Sequence, residues 1–411
     1  MERLISLLGL VVFVALAWVI GERRKSIDLR IVTGGLLLQF GLALFIFKTP
    51  IGAAVFQVVG YFFESLLGFV DAGTSLVFGE EYVHHFFAFK VLPTIIFFSS
   101  LMFVLYHLGL FQKVVEAFAW VMRRTLGTSG AETVSAAANV FVGQTEAPLI
   151  VGPYVESMTK SELMALMVGG FATIAGGVMA AYVSMGVDAV HLLAASVVSA
   201  PAALLVAKLM IPETEQSPTM GHVSVQVEKK HANVVHAASE GALEGLKLTL
   251  NVAAMLIAVL ALVALVNAVL SATGGWVGGL FGYDNWDWSM SNIFGYVFAP
   301  FAWLMGIPWI DALHAGELMG MKMVFNEFIA YTQMIEWQQP GSGVELSERS
   351  TLILTYALCG FANFGSIGIQ IGGIGGIAPK RRADLARLGI RAMIGGTLAM
   401  MMTACVAGIL L

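Results

Sequence analysis

Eight stretches of the chain are apolar over close to the roughly 20 residues that a helix needs to cross a bilayer. They cover 4–20, 31–47, 90–111, 163–183, 186–210, 245–270, 350–370 and 387–411. Composition points the same way: only 12% of the 411 residues are charged, while 58% are hydrophobic, against roughly 25% charged in an average soluble domain. A cytosolic enzyme, a disordered chain and a secreted disulfide scaffold are thereby excluded. The expected fold is an all-α polytopic membrane protein. The first stretch reads as a retained helix rather than a cleaved leader, because its basic residues follow the apolar run.

Basic residues orient the spans. Arg23, Arg24, Lys25 and Arg30 form one cluster, Lys113, Arg123 and Arg124 a second, and Lys380, Arg381, Arg382 and Arg387 a third. With all three on the cytoplasmic side, the spans alternate without conflict and both termini lie outside. The polar segment 211–241 then becomes a cytoplasmic linker between two halves. Six of the eight tryptophans fall between Trp276 and Trp337, as an interface belt would place them. Segment 51–70, with Gln57 and Glu64, reads either as an amphipathic helix in the interface or as a short buried helix. No polybasic run suggests a nucleic-acid partner, and Cys359 and Cys405 share no metal-ligand spacing.

Two carboxylates stand where a span should be bland. Glu146 lies in Ser135-Ala-Ala-Ala-Asn139-Val-Phe-Val-Gly-Gln144-Thr145-Glu146-Ala-Pro148, and Glu327 follows Gly316, Gly320, Lys322 and Asn326. An acidic side chain at mid-membrane costs roughly 2.5–3.5 kcal/mol on insertion scales, so each is expected to face a cavity or a partner. After each comes a polar connector (Ser161-Glu162, Ser347-Glu348) and an apolar helix holding Gly-Phe-Ala before a polar residue (Gly170 to Thr173, Gly360 to Asn363). The two copies enter from opposite sides. Inverted repeats with broken helices point to a secondary transporter with its site near the midplane. The alternatives are close helix packing at the glycines and an intramembrane enzyme using Glu146 and Glu327 as an acid/base pair. His314 and Glu317 lack a third metal ligand, His84 and His85 read as solvated, and Glu162 and Glu348 read as helix caps. The run 372–379 lacks the lysine of a phosphate loop.

Four motifs in order, SAAANVFVGQTEAPLIV (135–151), GELMGMKMVFNEFIAY (316–331), CGFANFGSIGI (359–369) and APKRRADLARLGIRA (378–392), resemble those of concentrative nucleoside transporters, and the likeness extends over essentially the whole chain. It implies a homotrimer in a bacterial inner membrane, with eight transmembrane helices, two opposed re-entrant hairpins and an interfacial helix in each protomer. It also implies a scaffold and a mobile transport domain working as an elevator. The corresponding divisions are 1–127 (scaffold and interfacial helices), 128–210 (first repeat), 211–241 (linker), 242–290 (scaffold helix and outer loop) and 291–411 (second repeat), with hairpins near 128–155 and 293–338. By the same resemblance, Gln144, Thr145, Glu146 and Val178 would surround the base of a nucleoside such as uridine. Glu327, Asn363 and Ser366 would hold the ribose, and Phe361 and Leu248 would line the pocket. Asn139, Thr173 and the carbonyls of Val142 and Ile174 would bind the coupling ion. Uncharged oxygen ligands suit sodium, with proton coupling the nearest alternative; no other cofactor and no transition metal is expected.

Overall fold

Capping side chains and chain breaks divide the apolar stretches into more helices than spans. The computed structural model of the chain describes residues 1–80, 82, 87–220, 231–281 and 289–411. His84, His85, the middle of the linker and Trp286 and Trp288 lie outside the described residues. Five helices come first: α1 (Glu2–Ile20), α2 (Leu29–Lys48), α3 (Pro50–Phe78), α4 (Leu92–His107) and α5 (Leu110–Leu126). A hairpin follows, built from α6 (Gly130–Asn139), α7 (Ala147–Ile150) and α8 (Gly152–Val155). Next are α9 (Lys160–Ala172), α10 (Gly176–Ser184) and α11 (Ala189–Met210). Past the linker run α12 (Val234–Phe281), α13 (Met290–Leu304), α14 (Trp309–Val324), α15 (Glu327–Trp337), α16 (Glu348–Leu358), α17 (Phe364–Ile377) and α18 (Arg382–Leu410). The series from α13 to α18 repeats that from α5 to α11, with the pair α7 and α8 replaced by α15.

Eight helical segments are long and apolar enough to cross a membrane among the described residues. That count agrees with the sequence, but the membership differs. Segment 51–70 belongs to α3, 29 residues long and largely exposed, so the short buried helix is excluded. Stretch 350–370 is broken at Cys359–Asn363 into α16 and α17, in keeping with the broken helix expected of the second copy. The expected second hairpin, 293–338, takes in most of α13 with α14 and α15, and α13 packs against α14 across a bend of 118°. Gly306 makes that bend, with φ +93° and the Ser6 hydroxyl in the space a side chain would need, a position only glycine adopts without cost.

The repeat also differs in register. The first break is Thr173–Ala175, so Gly170, Phe171 and Ala172 still belong to the last turn of α9. In the second copy Gly360, Phe361 and Ala362 lie inside the break itself. The shared tripeptide is therefore out of step by about one turn, and the caps are the better marker. Thr159 caps α9 and Ser347 caps α16, each accepting from the backbone N–H three residues on.

Both hairpin roots are fastened to these caps, by mirrored chemistry. In the first copy the acceptor is Glu162 on α9, whose Oε1 takes bonds from Ser129 (2.6 Å), Ser217 (2.5 Å) and Thr219 (2.7 Å). In the second it is Asp311 on the hairpin, whose Oδ2 accepts from the hydroxyls of Ser347 (2.7 Å) and Ser350 (2.5 Å). Glu162 and Asp311 are both buried, where such bonds to a charged acceptor contribute about 1.5–3 kcal/mol each.

The first root lies at the end of the bundle that carries the basic clusters. Arg30 donates to Arg124 O (3.0 Å), Arg381 to Met158 O (2.6 Å), and Glu22 is bound by Lys160 (2.8 Å) and Arg391. The second root lies at the opposite end, beside Glu2 and Leu411. Between them α9 with α10, α11 and α18 form the interior: the apolar window of the α9–α10 span is 94% buried, that of α12 only 6%.

Helix α1 packs along α18 and is tied at both ends. At the basic end Glu22 meets Lys160 and Arg391, and Arg23 donates to Thr214 (2.7 Å). At the other, Ser6 donates to Met305 O (2.9 Å), and Arg349 reaches Gly306 O (3.0 Å) and Gly408 O (2.6 Å) and pairs with Glu2 (3.5 Å).

Candidate functional site

The two hairpin tips and the two helix breaks meet in the middle of the bundle. At the first tip α6 ends at Asn139; Gly143 O accepts from Glu146 N and Ala147 N, which turns the chain into α7. At the second, Phe325 closes α14 and Asn326 caps α15 by accepting from Ile329 N (3.0 Å), leaving Glu327 as the first residue of that helix. Asn363 caps α17 in the same way, accepting from Ser366 N (2.8 Å).

One hydrogen-bonded chain crosses the whole site. Tyr182 Oη on α10 donates to Glu327 Oε1 (3.0 Å), and Asn363 Nδ2 donates to Glu327 Oε2 (3.1 Å). Asn363 holds the backbone of Ser366, whose Oγ accepts from Gln144 Nε2 (3.1 Å). Gln144 Oε1 in turn accepts from Gln370 Nε2 (3.0 Å), which also donates to Met167 O (3.1 Å). Glu327, Asn363, Ser366 and Gln144 are each at most 6% exposed. Each carboxylate oxygen of Glu327 keeps a lone pair for a further donor. A neutral ligand rich in hydroxyls can therefore bind a buried charge that is already held in place.

The other expected residues fall at varying distance from that chain. Val178 on α10 and Phe361 in the second break are buried, and Phe361 N donates to Thr173 O (3.3 Å). Thr145 packs its methyl over Gly373 of α17. Glu146 is exposed, and its carboxylate folds over Gly143. Leu248 is only partly buried on α12; that helix touches the start of α17 two turns later, where Met255 meets Gly365.

The expected ion ligands gather beside the first break. Asn139 is fully buried, and neither its oxygen nor its nitrogen has a hydrogen-bond partner. Its amide lies against Gly169, whose carbonyl accepts from the Thr173 hydroxyl (2.9 Å). Gly176 N donates to Phe141 O (2.9 Å), joining the break to the hairpin tip, while no backbone bond among the described residues is directed to Val142 O or Ile174 O. A buried amide without partners is costly unless something else satisfies it. Neutral oxygens from a side-chain amide, a hydroxyl and two carbonyls suit a hard monovalent cation.

Comparison with known proteins decides the family. Profiles described as the N-terminus and C-terminus of Na+ dependent nucleoside transporters match residues 8–81 and 191–408, and one described as nucleoside recognition ("Gate") matches 88–189. The chain belongs to the sodium-dependent, concentrative nucleoside transporter family. It is 47% identical to an uncharacterized transporter of Haemophilus influenzae, over 100% of this chain and 98% of that protein. It is 44% identical to solute carrier family 28 member 3 of Homo sapiens and 45% identical to sodium/nucleoside cotransporter 1 of Rattus norvegicus. It spans 60% and 64% of those two proteins, so they are considerably longer. Among solved structures it resembles CNTnw in an inward-facing substrate-bound state, with TM-score 0.91 and 43% identity over 100% of this chain and 98% of that one. A CNTnw variant in an outward-facing state gives TM-score 0.92 at 42% identity, again over 100% and 98%.

Three buried groups of the transporter were missed from its sequence. Tyr182 reads there as an aromatic on an apolar helix, and Gln370 as one amide in a glycine-rich run. The signal for Gln370 is the one that marks the carboxylates, a polar side chain inside an apolar stretch. Lys322 is 3% exposed, donates to Ala357 O (3.4 Å) and sits 2.9 Å from Met400 Sδ. Its position five residues before Glu327 was visible, but its burial was not.

Proposed function

We propose that the chain is a sodium-coupled symporter that imports nucleosides across a bacterial inner membrane by an elevator movement. The observation that carries this reading is the hydrogen-bonded chain through Gln144, Ser366, Asn363 and Glu327, which draws on both repeats and ends on a buried carboxylate. A ribose offers hydroxyl donors to that carboxylate, and a base offers an edge to Gln144 and Thr145. Val178, Phe361, Glu146 and Leu248 complete the proposed substrate set.

Sodium is assigned to Asn139, Thr173, Val142 and Ile174. An ion there would satisfy Asn139 and hold the first hairpin tip, which carries Gln144, against the break in the α9–α10 span. Each ligand would then bind better in the presence of the other, the reciprocity that coupled transport requires. Supporting the movement is the likeness to one protein solved in inward-facing and outward-facing states. The moving part is assigned to both hairpins with α9–α11 and α16–α18, against a frame drawn from 1–127 and 242–290 in a homotrimer. The basic end is placed in the cytoplasm and both termini outside.

The test is radiolabelled uridine uptake into proteoliposomes under an inward sodium gradient, repeated with sodium replaced by choline. Accumulation that needs the gradient supports the reading. Uptake that persists in choline and follows a proton gradient replaces sodium with protons. No uptake of any nucleoside by folded protein under either gradient sinks it.

A further inference from the structure

We infer that Gln370 sets base specificity by fixing which end of the Gln144 amide faces the substrate, an inference that rests on the nucleoside reading above. A primary amide has two N–H donors and one carbonyl acceptor of nearly the same shape, so its orientation follows from its neighbours. Most neighbours in this site are ambiguous, because a hydroxyl such as that of Ser366 donates or accepts. Met167 O is not. It is a main-chain carbonyl and only accepts, so Gln370 must turn its nitrogen toward it, at 3.1 Å.

The consequence propagates along the chain. The second N–H of Gln370 points at Gln144, 3.0 Å away, and only an oxygen can face it there. Gln144 Nε2 is thereby turned toward Ser366 and the ligand, giving one N–H to Ser366 Oγ at 3.1 Å and leaving the other to the base. Ser366, as an acceptor, keeps its own proton to donate. Burial makes the arrangement rigid: Gln370 is 0% exposed, and its Nε2 donates to both Gln144 Oε1 and Met167 O. A Cβ on Gly170 would come within 2.9 Å of both Gln144 Cβ and Gln370 Nε2, so glycine lets the two amides meet. Gln370 is a positioning residue acting through Gln144. The atom that Gln144 addresses must be an acceptor; with position 4 of a pyrimidine turned toward Gln144, that acceptor is the carbonyl of a keto base rather than an exocyclic amine. Uridine, with a carbonyl where cytidine has an amine, is the favoured pyrimidine nucleoside.

The experiment compares uridine and cytidine affinities, from competition against radiolabelled uridine, in full-length wild type, Gln370→Leu and Gln370→Met. Wild type should prefer uridine by about ten-fold, the worth of one buried hydrogen bond matched rather than opposed. With Gln370 gone the Gln144 amide is free to turn. Uridine should weaken and the preference should fall below about three-fold. In a Gln144→Ala background the Gln370 substitutions should change nothing further, which a general packing defect would not reproduce. A wild-type ratio retained in Gln370→Met, or a wild type without preference for uridine, overturns the inference while leaving nucleoside transport standing. A wild type that binds no nucleoside overturns both.

Discussion

Replacing Glu327 by Gln removes one charge from the site while leaving its hydrogen-bonded frame able to close. Asn363 Nδ2, at 3.1 Å, can only donate, so the new amide must turn its oxygen toward Asn363 and its nitrogen toward Tyr182. The Tyr182 hydroxyl can rotate and accept. Folding should therefore survive. The ligand would fare worse: on the proposed reading, two ribose hydroxyls that donate to the carboxylate would meet a neutral amide with its one oxygen already engaged. Hydrogen bonds to charged groups are worth about 1.5–3 kcal/mol each, so losing most of two of them costs roughly 3–5 kcal/mol, a fall in affinity of about 10²–10⁴. The assay is uridine affinity of Glu327→Gln and wild type by isothermal titration in saturating sodium, repeated with 2′,3′-dideoxyuridine. The variant should be severely impaired for uridine and close to wild type for the dideoxy analogue, itself weak in both. An equal loss for both ligands would refute the role of Glu327 as acceptor for the ribose hydroxyls. Near-normal uridine affinity would refute its place in the site altogether.

Three other outcomes are expected. Asn139→Ala should raise the sodium concentration for half-maximal uridine uptake by about ten-fold without lowering the melting temperature in sodium-free buffer, since the amide has no protein partner to lose; an unchanged sodium response would remove it from the ion site. Asp311→Ala strips Ser347 and Ser350 of their shared acceptor and should destabilise the second hairpin root by about 2–4 kcal/mol, read as a lower melting temperature; an unaltered melt would show that the root is held otherwise. Glu22, just beyond α1, has its carboxyl held below its usual value of 4.5 by hydrogen bonds from Lys160 and Arg391, against a partial burial that raises it. Its stabilisation is present above that value and lost as pH falls through the lower folded one, so Glu22→Gln should melt earlier than wild type at neutral pH and converge with it in acid. A gap that widens on acidification would contradict the assignment.

Much of this was legible because membranes price residues by position. Span-length apolar runs, Glu146 and Glu327 inside them, and basic clusters at one end carry their meaning without a third dimension. Connections between distant elements do not. Tyr182 and Glu327 are 145 residues apart, and Gln144 and Gln370 are 226 apart; nothing in local spacing joins them. Stretch 350–370 is apolar enough to count as a span, its Gly-Phe-Ala-Asn run marks a break, and the caps at Ser347 and Asn363 fix where its two helices start. The Gly-Phe-Ala tripeptides lie 9 and 13 residues after Ser161 and Ser347, an offset of about one turn that the structure expresses as one copy before its break and one inside it. The exposure of α3 also follows from its neighbours rather than from its own hydropathy.

The fastening of α1 has a mechanical consequence. Its polar ties sit at opposite ends of a 19-residue helix, about 28 Å apart at the α-helical rise, and both sets end on elements assigned above to the proposed moving part and their immediate neighbours: Lys160 and Arg391 at one end, Arg349 and Met305 at the other. A strut pinned at both ends cannot slide by one contact at a time. In the proposed elevator movement, any shift of the carrier along α1 would have to release both ends together, so this helix would either travel as a passenger or act as a brake whose grip is set by a few charges far from the proposed nucleoside site. Loosening one end should change how fast the cycle turns before it changes how tightly anything binds.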